Sequence, residues 1–335
     1  MLKKKIIQAL KILFFLGLGI FLIWWKVKDI SDADKKNIYE AFSHANYFWI
    51  VVSVLLGLIS NISRSLRWKQ LLEPLGYNPR LSNTFFAVTI GYMANYAFPR
   101  LGEVSRCGIL NTYEKVPFER SFGTVVAERL IDVITMLLLL VLTLIIEFNK
   151  IYGMVDEKIL SPLAQKLSSN HTALFIVLGV GLVGIVVLFL LRKKIIGFLT
   201  GKIGKVILGF LEGLKSIKDV KKPGLFIAHS LFIWLMYFLG LYCCFFCFAE
   251  TSILGPGVAL AVLVMGTFGI IFTPGGIGAY QAIVIETLSA YKIIFSVAFA
   301  FAWIVWTSQF LSFMISGLIS LVLLPIVNKS KSANS

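Results

Sequence analysis

The sequence predicts an all-α, polytopic membrane protein, and three observations support this fold class. Of the 335 residues, 58% are hydrophobic, against about 45–50% in soluble domains, and the mean hydropathy is +0.86. Apolar runs of about 20 residues, long enough to cross a bilayer as a helix, recur along the chain. Proline and glycine interrupt two of these apolar stretches. We expect about six full spans plus two re-entrant or broken helical hairpins (6–8 spans), in one domain over 1–335, with a possible inverted repeat.

The apolar runs give the candidate spans in chain order. They lie at roughly 6–25, 46–63, 82–98, 123–146, 172–191, 224–248, 255–272 and 294–324, with a shorter run at 278–290. Lysine and arginine cluster between some of these runs, as expected of cytoplasmic loops that face anionic lipid. The net charge of +15 therefore does not indicate nucleic-acid binding, and its distribution predicts that both termini are cytoplasmic.

Two stretches cannot be simple spans if the loop charges set the orientation. The basic residues near Arg80 predict a cytoplasmic loop, and the run 123–146 must start from the same side. The stretch 82–120 therefore has to return, as a hairpin with Pro99 near its tip. The same reasoning makes 255–290 a second hairpin, entering from the opposite face. The alternative for 82–98 is a full span, since its length allows one.

The stretch 195–217 has apolar residues at spacings of three and four, with lysines on the other face. This pattern predicts an amphipathic helix on the cytoplasmic membrane surface, and a solvated connector helix is the alternative.

Charged and polar residues gather about the first break and early in the next span. They are Asn95, Arg100, Glu103, Arg106, Glu128, Arg129 and Asp132. Ionisable groups in a bilayer cost roughly 2.5–3.5 kcal/mol each, so they persist by pairing or by lining water. The mixed signs favour a ligand with charged and polar parts. The alternative is a structural bridge from Arg129 to Glu103 or Asp132.

Two further groups suit an anion. Arg64 and Arg67 are expected at a cytoplasmic helix end, where they would either bind a headgroup phosphate or simply anchor the helix. The break at Pro274–Gly276 is expected to open a helix near Gly278, whose free amides favour an anion such as phosphate.

Isolated polar residues in apolar runs have simpler interpretations. His229 and Gln309 are expected to make hydrogen bonds between helices. Cys243, Cys244 and Cys247 lie inside an apolar run, where small buried thiols are common, and no metal site is expected there. We therefore expect no metal and no cofactor.

Four motifs, in this order, make the chain resemble the lysylphosphatidylglycerol synthase transmembrane-region family, also called flippase-like or UPF0104 proteins. They are Arg64-x-x-Arg67-Trp68, Asn95-x-x-x-Pro99-Arg-x-Gly102-Glu103-x-x-Arg106, Glu128-Arg129-x-x-Asp132 and Pro274-Gly275-Gly276-Ile277-Gly278. The resemblance implies a multi-pass protein of the bacterial inner membrane that handles lipids. Its best-understood relatives are the flippase halves of enzymes that move aminoacylated phosphatidylglycerol between leaflets.

The chain departs from that family at two points. Gln281 stands where the family often has a glutamate that would suit a cationic headgroup. The synthases carry a soluble catalytic domain after the membrane region, whereas this chain ends about ten residues after its last predicted span. Aminoacyl transfer is therefore not expected.

Together these observations predict a lipid-binding protein that is not an enzyme: a flippase or transporter moving a polar (phospho- or aminoacyl-) lipid between leaflets. Its partners would be membrane lipids, either anionic phospholipid or a modified lipid, and possibly a separate lipid-modifying enzyme. The expected substrate-binding residues are Arg64, Arg67, Asn95, Pro99, Arg100, Gly102, Glu103, Arg106, Glu128, Arg129, Asp132, Pro274, Gly275, Gly276, Gly278 and Gln281. The alternatives are a membrane enzyme or accessory for lipid-linked sugar or lipid modification, and a structural partner of a separately encoded synthase.

Overall fold

The computed structural model describes residues 31–98, 100–148, 150 and 220–332, together with the single residues at 17, 21, 28, 153 and 161. The predicted spans 6–25 and 172–191, the amphipathic stretch 195–217 and Pro99 lie outside the described residues. Within the described ranges the protein is helical and contains no strand, which confirms the all-α class. The helices are α1 (Asp32–His44), α2 (Phe48–Leu72), α3 (Leu81–Ala97), α4 (Leu101–Glu114), α5 (Phe118–Ile146), α6 (Pro223–Phe245), α7 (Ala249–Ser252), α8 (Pro256–Phe272), α9 (Ala279–Ala290) and α10 (Phe295–Ser332).

Four helices of the described part are long and apolar enough to cross a membrane, namely α2, α5, α6 and α10. Helix α5 illustrates the apolar outer face of such a span. It has 29 residues, about 43 Å of helix, and exposes a row of large apolar side chains that includes Leu137, Leu138 and Val141. In a membrane protein such a face is turned toward lipid.

Helices α3 and α4 form the first hairpin, called hairpin 1 below. A Cβ added to Gly102 would lie 2.1 Å from the carbonyl oxygen of Gly91, so the two backbones touch there. The turn between the helices passes through Arg100, whose φ of 68° is left-handed. With 17 and 14 residues, the two arms are about 25 Å and 21 Å long, less than the ~30 Å hydrocarbon core. These lengths favour a re-entrant hairpin over a full span at 82–98.

Helices α8 and α9 form hairpin 2, and glycine makes its turn. Gly275, Gly276 and Gly278 have φ of 65°, 78° and 79°, a region that favours glycine. A Cβ on Gly269 would lie 2.7 Å from the Cα of Tyr280, so these arms also pack backbone to backbone. Their lengths are 17 and 12 residues, again too short to cross the membrane separately.

Two ends of the helix assembly can be told apart by the contacts between chain-distant residues. At the first, called the Asn46 end, the amide of Asn46 donates to the carbonyl of Cys247 at 2.9 Å, and Ala45, Cys247 and Ile293 share one apolar cluster. At the opposite end, called the Arg80 end, Arg80 Nε lies 3.3 Å from Glu114 Oε1, and Arg80 also donates to Asn328.

The direction of each element follows from these ends. Helix α2 runs from the Asn46 end to the Arg80 end, hairpin 1 leaves and returns to the Arg80 end, and α5 runs back. Helix α6 ends beside Asn46, hairpin 2 leaves and returns to the Asn46 end, and α10 runs back to Asn328. The described helices therefore repeat the order span, hairpin, span in opposite directions, which is an inverted repeat.

The tips of the two hairpins meet near the middle of α10. Tyr96, at the end of α3, packs so closely on Gly275 that an added Cβ would lie 2.7 Å from its ring. Trp306 of α10 donates through Nε1 to the carbonyl of Gly275 at 2.8 Å. The ring of Tyr96 also contacts Phe310, with centroids 5.2 Å apart. Broken backbone at this depth is thus covered by protein, as lipid cannot satisfy its polar groups.

Candidate functional site

A buried group of five charged residues connects hairpin 1 to the spans on either side of it. We call it the ionic network. It consists of Arg64 and Arg67 on α2, Arg106 on α4, and Glu128 and Asp132 on α5. Helix α5 runs from residue 118 to 146, so Asp132 lies at its midpoint. The network therefore lies near the middle of a span, where charge is most costly.

Glu128 is the centre of the network. Its Oε1 lies 2.7 Å from Arg64 Nη1, and its Oε2 lies 2.8 Å from Arg106 Nη2. Arg67 Nη2 approaches Oε1 at 3.6 Å. The side chain of Glu128 is fully buried, and among the described residues these three arginines balance its charge.

Asp132 takes a second pair of contacts from α2. Its Oδ2 lies 2.6 Å from Arg64 Nη1, and its Oδ1 lies 2.7 Å from Arg67 Nη2. Glu128 and Asp132 share one face of α5 because they are four residues apart. Three guanidinium groups against two carboxylates leave the ionic network with one positive charge in excess.

A more exposed ion pair adjoins the network. Arg129 Nη2 lies 3.1 Å from Glu103 Oε1, and their side chains are 37% and 21% exposed. The expected contact between Arg129 and Glu103 is thus present. Asn95 stands beside it: its Oδ1 accepts from the amide of Gly102 at 2.7 Å, and its Nδ2 lies 3.5 Å from Glu103 Oε1. Asn95 and Gly102 therefore fix the turn from which Glu103 projects.

Aromatic rings cover the arginines and connect them to the hairpin tips. The guanidinium of Arg106 stacks over Trp68 at 4.2 Å, and that of Arg64 lies 5.8 Å from the ring of Tyr92. Tyr92 in turn packs against Phe313 of α10, with ring centroids 4.7 Å apart. The ionic network and the place where the tips meet are thus neighbours, joined by α3.

Sequence reasoning missed two partners of the network on α6. Ser230 accepts from Arg67 Nη1 at 3.1 Å, and the hydroxyl of Tyr237 accepts from Arg64 Nη2 at 3.4 Å. The two residues are seven apart and so share a helix face. That spacing of hydroxyls within an apolar run was the available signal. The expected helix–helix hydrogen bond of His229 is confirmed, since its Nδ1 lies 2.8 Å from Ser63 Oγ.

The expectation that Arg64 and Arg67 lie at a helix end is wrong. Helix α2 continues to Leu72, and the two residues are only 2% and 0% exposed. Their charges do not anchor the helix in solvent, because carboxylates of α5 neutralise them inside the protein. Arg100, by contrast, is exposed at the turn of hairpin 1.

The remaining candidate residues lie in hairpin 2. The amide of Gly278 donates to Oε1 of Gln281 at 2.8 Å, so one of the free amides predicted at this helix start already has a partner. Gln281 is 2% exposed, and its Nε2 has no hydrogen-bond partner among the described residues. Gly275 and Gly276 form the turn that meets Tyr96, whereas the side chain of Pro274 is outside the description. Across the described ranges, no group of three or more His, Cys, Asp or Glu residues is placed to hold a metal ion.

These features define a class: helical membrane proteins in which two opposed, broken hairpins meet beside a buried charged site. The chain belongs to the family described as the lysylphosphatidylglycerol synthase TM region, whose profile matches residues 8–323. The resemblance drawn from the four motifs is thereby confirmed.

Two relatives are similar to this chain. A UPF0104 membrane protein of Methanocaldococcus jannaschii is 26% identical over 279 residues, which cover 79% of this chain and 81% of the relative. The glycosyltransferase AglD of Haloferax volcanii is 22% identical over 103 residues, which cover 30% of this chain and only 16% of that protein. No solved structure matches the chain.

Proposed function

We propose that the protein binds a polar lipid and moves its headgroup between the leaflets, past the ionic network and the adjoining Arg129–Glu103 pair. The observation that carries this proposal is the network itself. Charged side chains near the middle of a span are costly, and replacing a buried ion pair by apolar residues is often neutral or stabilising. A network of five such groups therefore favours a role in binding over one in stability.

The surroundings of the network suit a headgroup path. The side chains of Tyr92, Asn95, Glu103 and Arg129 are only half-buried, although they lie on helices that enter the membrane. Hairpin 1 reaches this region from the Arg80 end and hairpin 2 reaches it from the Asn46 end. We infer that each hairpin lines one half of the path, while the acyl tails stay in the surrounding lipid.

Charge distribution supports the orientation that we propose. Basic residues flank the Arg80 end at Lys69, Arg80, Lys115, Lys221 and Lys222, whereas acidic residues such as Asp32, Asp34 and Glu147 lie toward the Asn46 end. The positive-inside rule then places the Arg80 end in the cytoplasm. We propose a cell-membrane location with both termini cytoplasmic; the family resemblance implies the bacterial inner membrane.

The same proposal covers the partners of the protein and its functional class, transporter or enzyme. The protein would act as a transporter rather than an enzyme, on an anionic phospholipid or a modified lipid. A separately encoded lipid-modifying enzyme would supply a modified substrate.

Leaflet exchange in reconstituted vesicles tests the proposal. Vesicles would carry fluorescent phosphatidylglycerol, and a membrane-impermeant quencher would report the lipid that reaches the outer leaflet. We expect Arg129→Gln to reduce exchange to the protein-free rate. Arg120→Gln is the matched control, because it removes an exposed arginine of the same helix. Equal exchange by wild type and Arg129→Gln would exclude the proposed path.

A second candidate is an enzyme or accessory acting on lipid-linked sugars. The partial similarity to a glycosyltransferase favours it. Incubation with labelled polyprenyl-phosphate lipids separates the two functions, because an enzyme yields a covalently altered lipid and a transporter returns it unchanged.

A further inference from the structure

Glu103 is the least tightly held of the three carboxylates around the site. Glu128 and Asp132 each contact at least two guanidinium groups at 2.8 Å or less. Within the described part of the chain, Glu103 has one ionic contact, at 3.1 Å, supported by Asn95 at 3.5 Å. A carboxylate held this way exchanges for another anion more readily than the two within the network.

The pair also leaves one polar atom unmatched on each side. Among the described residues, neither Nε of Arg129 nor Oε2 of Glu103 has a hydrogen-bond partner, although both atoms are buried. A bidentate arginine–carboxylate contact would have satisfied both atoms. A phosphate group has several acceptor oxygens and can bind the Nε and Nη edge of a guanidinium at once.

Access and charge point to the same residue. The side chains of Arg64, Arg67 and Arg106 are 0–3% exposed, whereas that of Arg129 is 37% exposed, so a ligand that approaches the site reaches Arg129 before the arginines of the network. The network keeps one positive charge in excess, and the Arg129–Glu103 pair does not change this sum. A monoanionic headgroup would neutralise the excess, whereas a zwitterionic one would not.

The charge of Glu103 would still be stabilised once the side chain leaves Arg129. Glu103 belongs to the first turn of α4, where the helix dipole favours a negative charge. Arg100 lies three residues earlier and is exposed. After its release from Arg129, the Glu103 carboxylate is therefore still compensated by the helix dipole of α4 and by the nearby charge of Arg100.

We propose that Glu103 is a placeholder for the substrate: the phosphate of a net-anionic lipid headgroup binds Arg129 in place of the Glu103 carboxylate. This inference rests on the proposed function and gives the site its substrate class. Because Asn95 holds both Glu103 and the amide of Gly102, release of Glu103 also loosens the turn of hairpin 1 at the moment of binding.

The test is a binding titration on the full chain purified in detergent. The probes are short-chain phosphatidylglycerol, short-chain phosphatidylcholine and inorganic phosphate. We expect Glu103→Gln to bind phosphatidylglycerol about fivefold more tightly than wild type, since a competing ion pair is removed. Arg129→Gln should bind it about tenfold more weakly, and the gain from Glu103→Gln should vanish in the double variant. Glu114→Gln, which removes another arginine-paired carboxylate of α4, should leave the affinity for phosphatidylglycerol unchanged.

Each outcome decides a separate point. Weaker phosphatidylglycerol binding by Glu103→Gln, with a loss of thermal stability equal to that of Arg129→Gln, would make the pair structural and overturn the placeholder role. If Glu103→Gln also binds inorganic phosphate about fivefold more tightly than wild type, the placeholder role is supported. The substrate would then be a soluble phosphate ester and not a lipid. If Glu103→Gln and Arg129→Gln both bind phosphatidylglycerol as tightly as wild type, while Arg129→Gln still loses leaflet exchange, this inference is overturned and the proposed function stands. Absence of both binding and exchange in wild type would remove the proposed function itself.

Discussion

Hairpin 1 and hairpin 2 have the same architecture but bring different chemistry to the place where they meet. In both hairpins the arms are too short to span the membrane, and a glycine lets the two arms pack backbone to backbone. This glycine is Gly102 in hairpin 1 and Gly269 in hairpin 2. Hairpin 1 contributes ionic side chains, Glu103 and Arg106, to the site. Hairpin 2 contributes backbone groups, such as the carbonyl of Gly275 that accepts from Trp306. A symmetric scaffold can thus hold charge in one repeat and a glycine turn in the other.

The bases of the hairpins are held by corresponding contacts. Arg80 and Asn83 link Glu114, at the return end of hairpin 1, to Asn328 near the end of α10. Tyr291, at the return end of hairpin 2, donates to Glu147 at the end of α5 at 2.8 Å. Each hairpin is therefore tied to the last span of the opposite repeat, and movement of one repeat would strain the other.

The largest effect should come from removing Glu128, the carboxylate that neutralises Arg106 of hairpin 1. Glu128→Ala leaves Arg64 and Arg106 buried without their shared carboxylate, and we expect a loss of about 3–5 kcal/mol in the free energy of unfolding. Thermal unfolding of the detergent-purified protein measures it. Glu119→Ala, an exposed glutamate of the same helix, should unfold like wild type, and equal melting of the two variants would refute a network dependent on Glu128.

A smaller effect should come from forcing the arms of hairpin 1 apart. Gly102→Ala places a methyl group 2.1 Å from the carbonyl oxygen of Gly91, and such overpacking costs about 1–3 kcal/mol. Gly108→Ala on the same helix is the control, since its added Cβ would have no described neighbour within 4 Å beyond the backbone of its own helix. The same melting assay compares the pair, and a Gly102→Ala protein as stable as Gly108→Ala would mean that the arms are not in contact.

The smallest effect should come from hairpin 2, where one hydrogen bond holds the turn. Trp306→Phe keeps an aromatic ring against Phe310 but removes the donor to Gly275, so we expect a loss of about 0.5–1.5 kcal/mol. Trp303→Phe is a matched control because its Nε1 has no partner among the described residues. Should Trp303→Phe cost as much as Trp306→Phe, the contribution of this bond would be disproved.

The sequence predicted the hairpins well because their signals are local. Proline and glycine between apolar runs identify a break, and the loop charges require each hairpin to return to its own side. The spacing of Glu128 and Asp132 likewise indicated a shared face before any partner was known.

The partners of those carboxylates could not be found in the same way. The sequence predicts a helix end at Arg64 and Arg67, yet α2 continues to Leu72 and carries both arginines into the protein. Pairing between residues 64 apart in sequence, such as Arg64 and Glu128, depends on how the spans pack, and periodicity within one helix does not contain that information. The spacing of Ser230 and Tyr237 indicates that the two hydroxyls share a face of α6, but it does not identify Arg67 and Arg64 as their partners.

Native mass spectrometry of the purified protein tests the central claim most directly. If the charged site beside the meeting hairpins binds a headgroup, the wild-type protein and Arg120→Gln will retain a phosphate-bearing lipid that Arg129→Gln loses. Retention of the same lipid, in the same amount, by all three proteins would contradict the account.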